Sequence, residues 1–320
     1  MTLSRRRAAA ALLSLATVPT LARAETYPSH PIRIVVPSGP GGITDIVARI
    51  VGQRLSERLG QSVIIDNKSG ASGIIGTEAV AHAPPDGYTL LMVYPSHPVN
   101  PALKQHLPYD TIKDFVGVTT LTTVSLVLLV PPSLPAKSVA ELIALSKKDQ
   151  LTYASVGSGS LAHLGAELFR SMARIELTHV PYRSAPAAQQ ALLSGEVSMF
   201  FDTPITAVPM VHDGRLRALG VSTPKRSPLL PDVPTIGETV PGYVTLGWNG
   251  ILLPAATPQP IVQKLNQELC AILDEPEVKK KLEQQGADPS PIDTATFARL
   301  IVDDIRKWGD VIRSAGIRPE

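Results

Sequence analysis

Apolar and polar positions follow two periods along this chain. Short β-branched or continuous apolar runs predict strands over 32–36, 63–65, 88–93, 116–121, 124–130, 151–154, 176–180, 197–201, 216–221 and 244–253. Between them, apolar residues recur at helical spacing and predict helices over 43–59, 74–81, 138–148, 160–173, 185–194, 204–213, 258–273, 276–285 and 294–315. Strands alternating with helices argue an α/β class whose sheets are covered on both faces. Ser138 stands three residues before Glu141, the spacing of a capping box. Thr257-Pro258 and Glu275-Pro276 each put a proline at a first helical position. The long apolar runs at 124–130 and 244–253 read as crossover strands between two lobes. Residues 25–124 and 250–320 then form one lobe and 125–249 the other, with the hinge in the crossovers. The proline-rich stretch 224–241 reads as a surface loop.

The first 24 residues carry a different pattern. Arg5, Arg6 and Arg7 precede an apolar stretch over 8–18, and Ala22-Arg23-Ala24 is a small-residue cleavage site. Residues 1–24 are therefore expected to be an export signal removed after Ala24. The apolar stretch is too short to span a membrane. It lacks the bulky residues of a twin-arginine signal, which favours the general secretory route. The leader holds four of the 30 basic residues and none of the 28 acidic ones, so the remainder carries net charge −2. That balance gives no basic footprint for nucleic acid. About 296 residues remain, enough for two domains. The one cysteine, Cys270, falls on an apolar helix face and reads as a buried, inert thiol. The expectation is an exported, disulfide-free, monomeric protein of the periplasm.

Two strand–turn–helix junctions carry the candidate chemistry. Strand 32–36 runs into Pro37-Ser38-Gly39-Pro40-Gly41-Gly42-Ile43-Thr44-Asp45, and strand 151–154 runs into Ser155-Val156-Gly157-Ser158-Gly159-Ser160. The first N–H groups of a helix lack partners and sit at the positive end of its dipole, so each junction is an anion cradle. Ser38, Thr44, Ser155, Ser158 and Ser160 add hydroxyl donors without adding charge. Two cradles in two halves suggest a clamp that grips an anionic ligand at both ends. Neither junction has the G-K-[ST] ending of a P-loop or G-x-G-x-x-G spacing, and no G-x-S-x-G elbow exists. The seven histidines form no ligand cluster, so neither metal nor cofactor is expected.

Asp202, with Thr203 after it, falls at the carboxyl end of a strand, where open sheets bind ligands. Asp45 has two readings, a contact to a cationic ligand group or a stabiliser of its own helix start. Arg183 either attracts an acid or pairs with a structural carboxylate. In Tyr94-Pro95-Ser96-His97-Pro98, Ser96 is a candidate contact, and His97 lines a cleft or lies in a surface turn. The rival to a binding protein is an exported hydrolase acting on carboxylated substrates, with Ser158 or Ser160 as nucleophile and His163 as base.

The words of the chain resemble a known family. They run from Pro40-Gly41-Gly42 and Asp45-Ile46-Val47-Ala48-Arg49 through Pro85-Asp86-Gly87-Tyr88-Thr89-Leu90 and Leu107-Pro108-Tyr109-Asp110. They continue with His163-Leu164, His179-Val180-Pro181-Tyr182-Arg183, Leu230-Pro231-Asp232-Val233-Pro234-Thr235 and Trp248. In order and spacing they are similar to the Bug receptors, extracytoplasmic solute-binding proteins of tripartite tricarboxylate transporters. The resemblance implies a two-lobed, periplasmic-binding-protein-like (type II) α/β fold with two crossover strands. It implies a small organic carboxylate held between the lobes by backbone amides, hydroxyls and waters. It further implies delivery to membrane permease subunits or to the periplasmic domain of a sensor kinase, with no reaction catalysed. The ligand-binding set is then Ser38, Gly39, Gly41, Gly42, Thr44, Ser96, Ser155, Gly157, Ser158, Gly159, Ser160, His163, Asp202 and Thr203. Three positions depart from the family pattern. Ser38 and Asn249 stand where aromatics are usual, and Ser184 stands for a glycine. Small polar groups at 38 and 249 lead to the expectation of a roomier, wetter pocket that takes a hydroxylated or longer acid.

Overall fold

A computed structural model describes residues 27–157 and 159–317. The expected leader over 1–24 and Ser158 lie outside the described residues. The first lobe starts with β1 (Ile32–Val36), α1 (Ile43–Leu59), β2 (Val63–Asn67), α2 (Ile74–Ala81), β3 (Thr89–Val93), α3 (Ser96–Leu103) and β4 (Phe115–Val124). The second lobe follows with β5 (Val127–Val130), α4 (Val139–Ser146), β6 (Leu151–Ser155), α5 (Leu161–Ala173) and β7 (Leu177–Pro181). It is completed by α6 (Ala185–Ser194), β8 (Met199–Asp202), α7 (Pro204–His212) and β9 (Arg217–Val221). The chain then returns to the first lobe through β10 (Gly247–Pro254), α8 (Gln259–Asp274), α9 (Pro276–Glu283), β11 (Asp288–Pro289) and α10 (Thr294–Ser314).

The strand orders are β11-β4-β10-β3-β1-β2 and β7-β6-β8-β5-β9. In each sheet a parallel trio is extended by antiparallel strands from the crossing chain. β3 is buried along its whole length, as a strand covered by helices on both faces must be. One face of the first sheet packs Ile34, Leu90 and Ile251 against Val47, Val51 and Leu55 of α1 and Leu265 of α8. The second lobe has its own core around Tyr153, Phe169, Phe200 and Leu192. The two-lobed α/β expectation is met.

The crossovers differ from the uninterrupted strands expected at 124–130 and 244–253. β4 ends at Val124 and β5 begins at Val127, each in a different sheet, and β10 pairs only within the first sheet from Gly247 onward. A strand cannot serve two sheets without breaking its ladder, and Ser222 supplies the missing partners at the break. Leu126 N–H donates to Ser222 Oγ at 2.8 Å, Ser222 N–H donates to Leu126 O, and Thr245 N–H donates to Ser222 O. The Ser222 hydroxyl donates in turn to Thr245 O. Both crossings are thus tied to one buried serine.

Helix α10 lies across both lobes. Trp308, Val311 and Ile312 pack with Val99 of α3 and Leu164 of α5. The crossings are held to it by Lys307 Nζ, which donates to Val244 O at 3.0 Å, and by Trp248 Nε1, which donates to Asp304 at 2.6 Å.

Helix α3 is not among the elements the pattern predicts, and it carries Pro98 and Pro101. Pro95 precedes the helix and Pro98 falls in its first turn, where an N–H would have no partner in any case. Pro258 is the cap of α8 rather than its first residue, and Pro260 takes the early helical position. Ser138 Oγ accepts from Glu141 N–H as expected, but the Glu141 carboxylate accepts from Lys137 N–H, so the box is half formed. The stretch 224–241 is not wholly surface. It holds the short turn Ile236–Glu238, closed by a full capping box with Thr235, and buries Leu230, Ile236 and Val240.

Candidate functional site

The second junction is a tightly bonded turn. Gly157 N–H donates to Ser155 Oγ at 3.1 Å, and Ser160 N–H and Oγ–H both donate to Gly157 O. Ser160 Oγ accepts from His163 N–H at 3.3 Å, and Gly159 N–H donates to His163 Nδ1 at 3.0 Å. Gly157 and Gly159 have φ of 110° and 76°, which glycine adopts without strain. The N–H groups of these residues are spent inside the turn. Those of Leu161 and Ala162, at the start of α5, keep no acceptor among the described residues.

Behind the turn, the His163 and His179 rings stack 4.0 Å apart, with Tyr153 4.9 Å from His179. Ser155 Oγ lies 2.6 Å from His179 Nε2, and Tyr153 OH donates to Glu167, which pairs with Arg170. Burial, with His179 adding to it, lowers the His163 pKa to about 3. A neutral ring is what allows Nδ1 to accept from Gly159. His97 is not at the surface. It is buried against Tyr109 and Phe115 with Nε2 3.3 Å from Thr111 O, and burial lowers its pKa to about 4.

Both histidines fold neutral and have an ordinary value of 6.5. The stability they contribute is complete above pH 6.5 and is lost as pH falls towards 4 and then 3. Urea unfolding over this range should show a loss of roughly a few kcal/mol. His97→Asn should flatten the upper part of the profile. A stability that does not change with acidification would contradict this.

The first junction is organised by Asp45. Gly41 N–H donates to its Oδ2 at 2.9 Å, Arg49 Nε at 3.0 Å, and Asn67 Nδ2 reaches Oδ1 at 2.9 Å. Burial alone would raise this carboxyl, but the bonds from Arg49, Gly41 and Asn67 hold it below the usual range. Asp45 therefore fixes the turn rather than meeting a ligand. Asp45→Ala leaves Gly41 N–H without its acceptor and leaves Asn67 Nδ2 only the Ser38 carbonyl, an expected loss of about 1–3 kcal/mol measurable by denaturant melting. The α1 cap, Gly42, makes no side-chain cap, so the first N–H groups of that helix are open.

A cavity of about 350 Å³ lies between the lobes. Its first-lobe wall is Ser72, Tyr94, Pro95, Ser96, Val99, Asn100 and Leu103; its second-lobe wall is Val156, Gly159, Ser160 and Leu161. Among the described residues, no lysine, arginine or histidine lines it. A second cavity of about 130 Å³ adjoins it in the second lobe, sharing Val156 and Leu161 and reaching Ala162, Ala185, Phe200, Phe201, Asp202 and Thr203. Asp202 is buried and accepts from Gln189 Nε2 at 2.6 Å and from Thr203 N–H at 2.8 Å; burial raises its pKa.

Of the residues singled out in the sequence, Ser96, Gly159, Ser160, Asp202 and Thr203 line these two cavities. Ser155, Gly157 and His163 stand behind the wall and shape it. Ser38, Gly39, Gly41, Gly42 and Thr44 line neither. The turn at Ala71–Gly73 stands between them and the space, with Gly73 wedged against Pro37 O and the Tyr94 ring. The Ser38 hydroxyl is buried without a partner. Asn249 is also elsewhere, donating to Thr122 Oγ1 inside the first sheet. The two substitutions thought to widen the pocket do not face it, and Ser184 caps α6. Arg183 is exposed and makes no ion pair among the described residues. Cys270 is half-buried, and burial pushes its thiol up, consistent with an inert group.

Ser72, Tyr94 and Asn100 were missed. The one signal for the first was the run Ser69-Gly70-Ala71-Ser72-Gly73, whose Gly70 and Gly73 adopt φ of 133° and 87°. The hydrolase reading finds no support at Ser160, and its other candidate nucleophile, Ser158, lies outside the described residues. Ser160 bonds the Gly157 carbonyl, not the His163 ring, and that ring is taken by Gly159. The serine that does touch an imidazole, Ser155, is wholly buried.

Two α/β lobes around a hydroxyl-lined cavity, joined by two short crossings, define a solute-binding protein. Residues 47–317 match the tripartite tricarboxylate transporter family receptor, TctC, and the chain belongs to that family. Protein BugT of Bordetella pertussis (strain Tohama I) is 35% identical over 303 residues, 92% of each chain. R. palustris Rpa4515 with adipate is 37% identical, with a TM-score of 0.80 over 92% of this chain and 100% of that one. MatC (Rpa3494) from Rhodopseudomonas palustris with bound malate is 33% identical, with a TM-score of 0.73 over 89% of this chain and 100% of that one. No described helix is long and apolar enough to cross a membrane.

Proposed function

We propose that this chain is an exported periplasmic receptor that captures a small organic carboxylate between its lobes and passes it on unchanged. The observation that carries the reading is the space between the lobes. It is walled by Ser96, Ser160 and Asn100 beside the Leu161 and Ala162 N–H groups, which have no acceptor among the described residues, and no described basic side chain lines it. Neutral donors at a helix start hold a carboxylate firmly enough to bind it and weakly enough to release it. Adipate in Rpa4515 and malate in MatC support the same ligand class. Contacts from both lobes favour the closed form, and that difference in affinity drives the hinge. The lobes turn about 125–126 and 245–246, where Ser222 ties the crossings. The first junction stands at the rim beyond Pro37, and its open N–H groups strengthen the field at the mouth. The leader over 1–24 directs export, and the partner is a permease of the tripartite type or a sensor domain.

Mass spectrometry of solute released from the purified protein by denaturation tests this, together with a thermal-shift screen over carboxylates. A carboxylate that raises the melting temperature and is recovered intact after long incubation is expected. Turnover of the bound molecule, or no response to any carboxylate, would overturn the reading.

A further inference from the structure

We infer that the solute lies lengthwise across the two adjoining cavities, carboxylate towards Ser96 and Ser160, with an ammonium group at its far end against Asp202. The inference rests on the receptor reading above and names the ligand class within it. Three observations lead to it. The cavity between the lobes adjoins a smaller one, with Val156 and Leu161 in the walls of both. Val156 is 39% exposed despite being β-branched and apolar, so the shared wall presents a greasy surface still lacking a cover. The smaller cavity is lined by Leu126, Ala185, Phe200 and Phe201, which suits methylene groups rather than hydroxyls.

The carboxylate in the wall of that cavity is the decisive feature. Asp202 is only 3% exposed, and among the described residues it has no ion-pair partner. Its described hydrogen-bond partners, the Gln189 amide and the Thr203 N–H, with Thr206 alongside, are all neutral. A buried carboxylate without a cation is unfavourable, and a ligand cation relieves it through a charge-assisted bond. A second carboxylate on the solute would instead place like charges side by side in a low-dielectric pocket. The site therefore selects amino-terminated straight-chain acids over dicarboxylates of equal length.

Calorimetric titration of the purified protein with three matched series tests this. The series are γ-aminobutyrate, δ-aminovalerate and ε-aminocaproate; butyrate, valerate and caproate; succinate, glutarate and adipate. At least one amino acid should bind roughly tenfold more tightly than its matched monoacid and diacid. Asp202→Asn, checked for folding by its melting curve, should bring the amino and unsubstituted acids within about threefold of each other. Ala185→Leu, which fills the smaller cavity without touching the charge, should weaken the longest amino acid most. A diacid that binds as tightly as its amino counterpart, or an unchanged preference in Asp202→Asn, overturns the inference and leaves the receptor reading standing. So does binding confined to carboxylates outside these series. If no carboxylate of the wider screen binds, it is the receptor reading that falls.

Discussion

Gly159→Ala lowers the affinity for the bound carboxylate by roughly tenfold or more, while the melting temperature of the empty protein falls by only about a few degrees. The reason is where the added methyl lands. A Cβ at Gly159 would stand 2.3 Å from Leu103 Cδ1, and Leu103 belongs to the other lobe. The residue also has φ of 76°, a conformation that costs an L side chain about 1–2 kcal/mol. The steric part of the penalty exists only where the lobes meet, so it shifts the open–closed balance rather than unfolding either core. Leu103→Ala removes the opposing methyl and should restore most of the lost affinity in the double variant, while the φ cost stays as a loss of stability in both forms. Calorimetry on the two single variants and the double variant checks this. Full affinity in Gly159→Ala would mean that the lobes do not approach here when loaded.

This contact illustrates what could be read from the residues and what could not. β1, α1, α2 and α6 agree with the sequence reading residue for residue. Each is bounded by strong local punctuation, such as Gly42 and Gly60 around α1 and Ser184 and Gly195 around α6. The second junction was legible for the same reason, since Gly157, Gly159 and Ser160 announce a turn and a cap. The opposite wall was not. Asn100 and Leu103 enter the cavity from α3, whose prolines disguise a helix; Tyr94 enters from the link between β3 and α3, and Ser72 comes from a turn with no periodic signal. Likewise, the sequence marks Ser38 and Asn249 as departures from a pattern, but which way a side chain faces depends on sheet pairing. Asn249 opposes Thr122 on β4, a contact 127 residues away in sequence.

Ser222→Ala should destabilise the fold by about 2–4 kcal/mol for the loss of one atom. The hydroxyl accepts from Leu126 N–H in one crossing and donates to Thr245 O in the other, and both Ser222 and Thr245 are fully buried. Alanine leaves a backbone donor and a backbone acceptor unpaired where water does not reach, and each such group costs about 1–3 kcal/mol. The backbone bonds of Ser222 to Leu126 and Thr245 survive, so the crossings keep their place while losing stiffness. Denaturant melting gives the stability loss, and hydrogen exchange should show Leu126 and Thr245 amides losing protection beyond the global effect. A Ser222→Ala protein as stable as the parent would show that the crossings are held by other means, such as Lys307 and Asp304 of α10.

The most direct test of the account is a crystal structure of the protein loaded with its own solute. The expected result is a carboxylate between the lobes, within hydrogen-bond reach of the Leu161 and Ala162 N–H groups and the hydroxyls of Ser96 and Ser160. A solute held by one lobe alone, or seated away from this space beside Lys307 and Trp248, would contradict it.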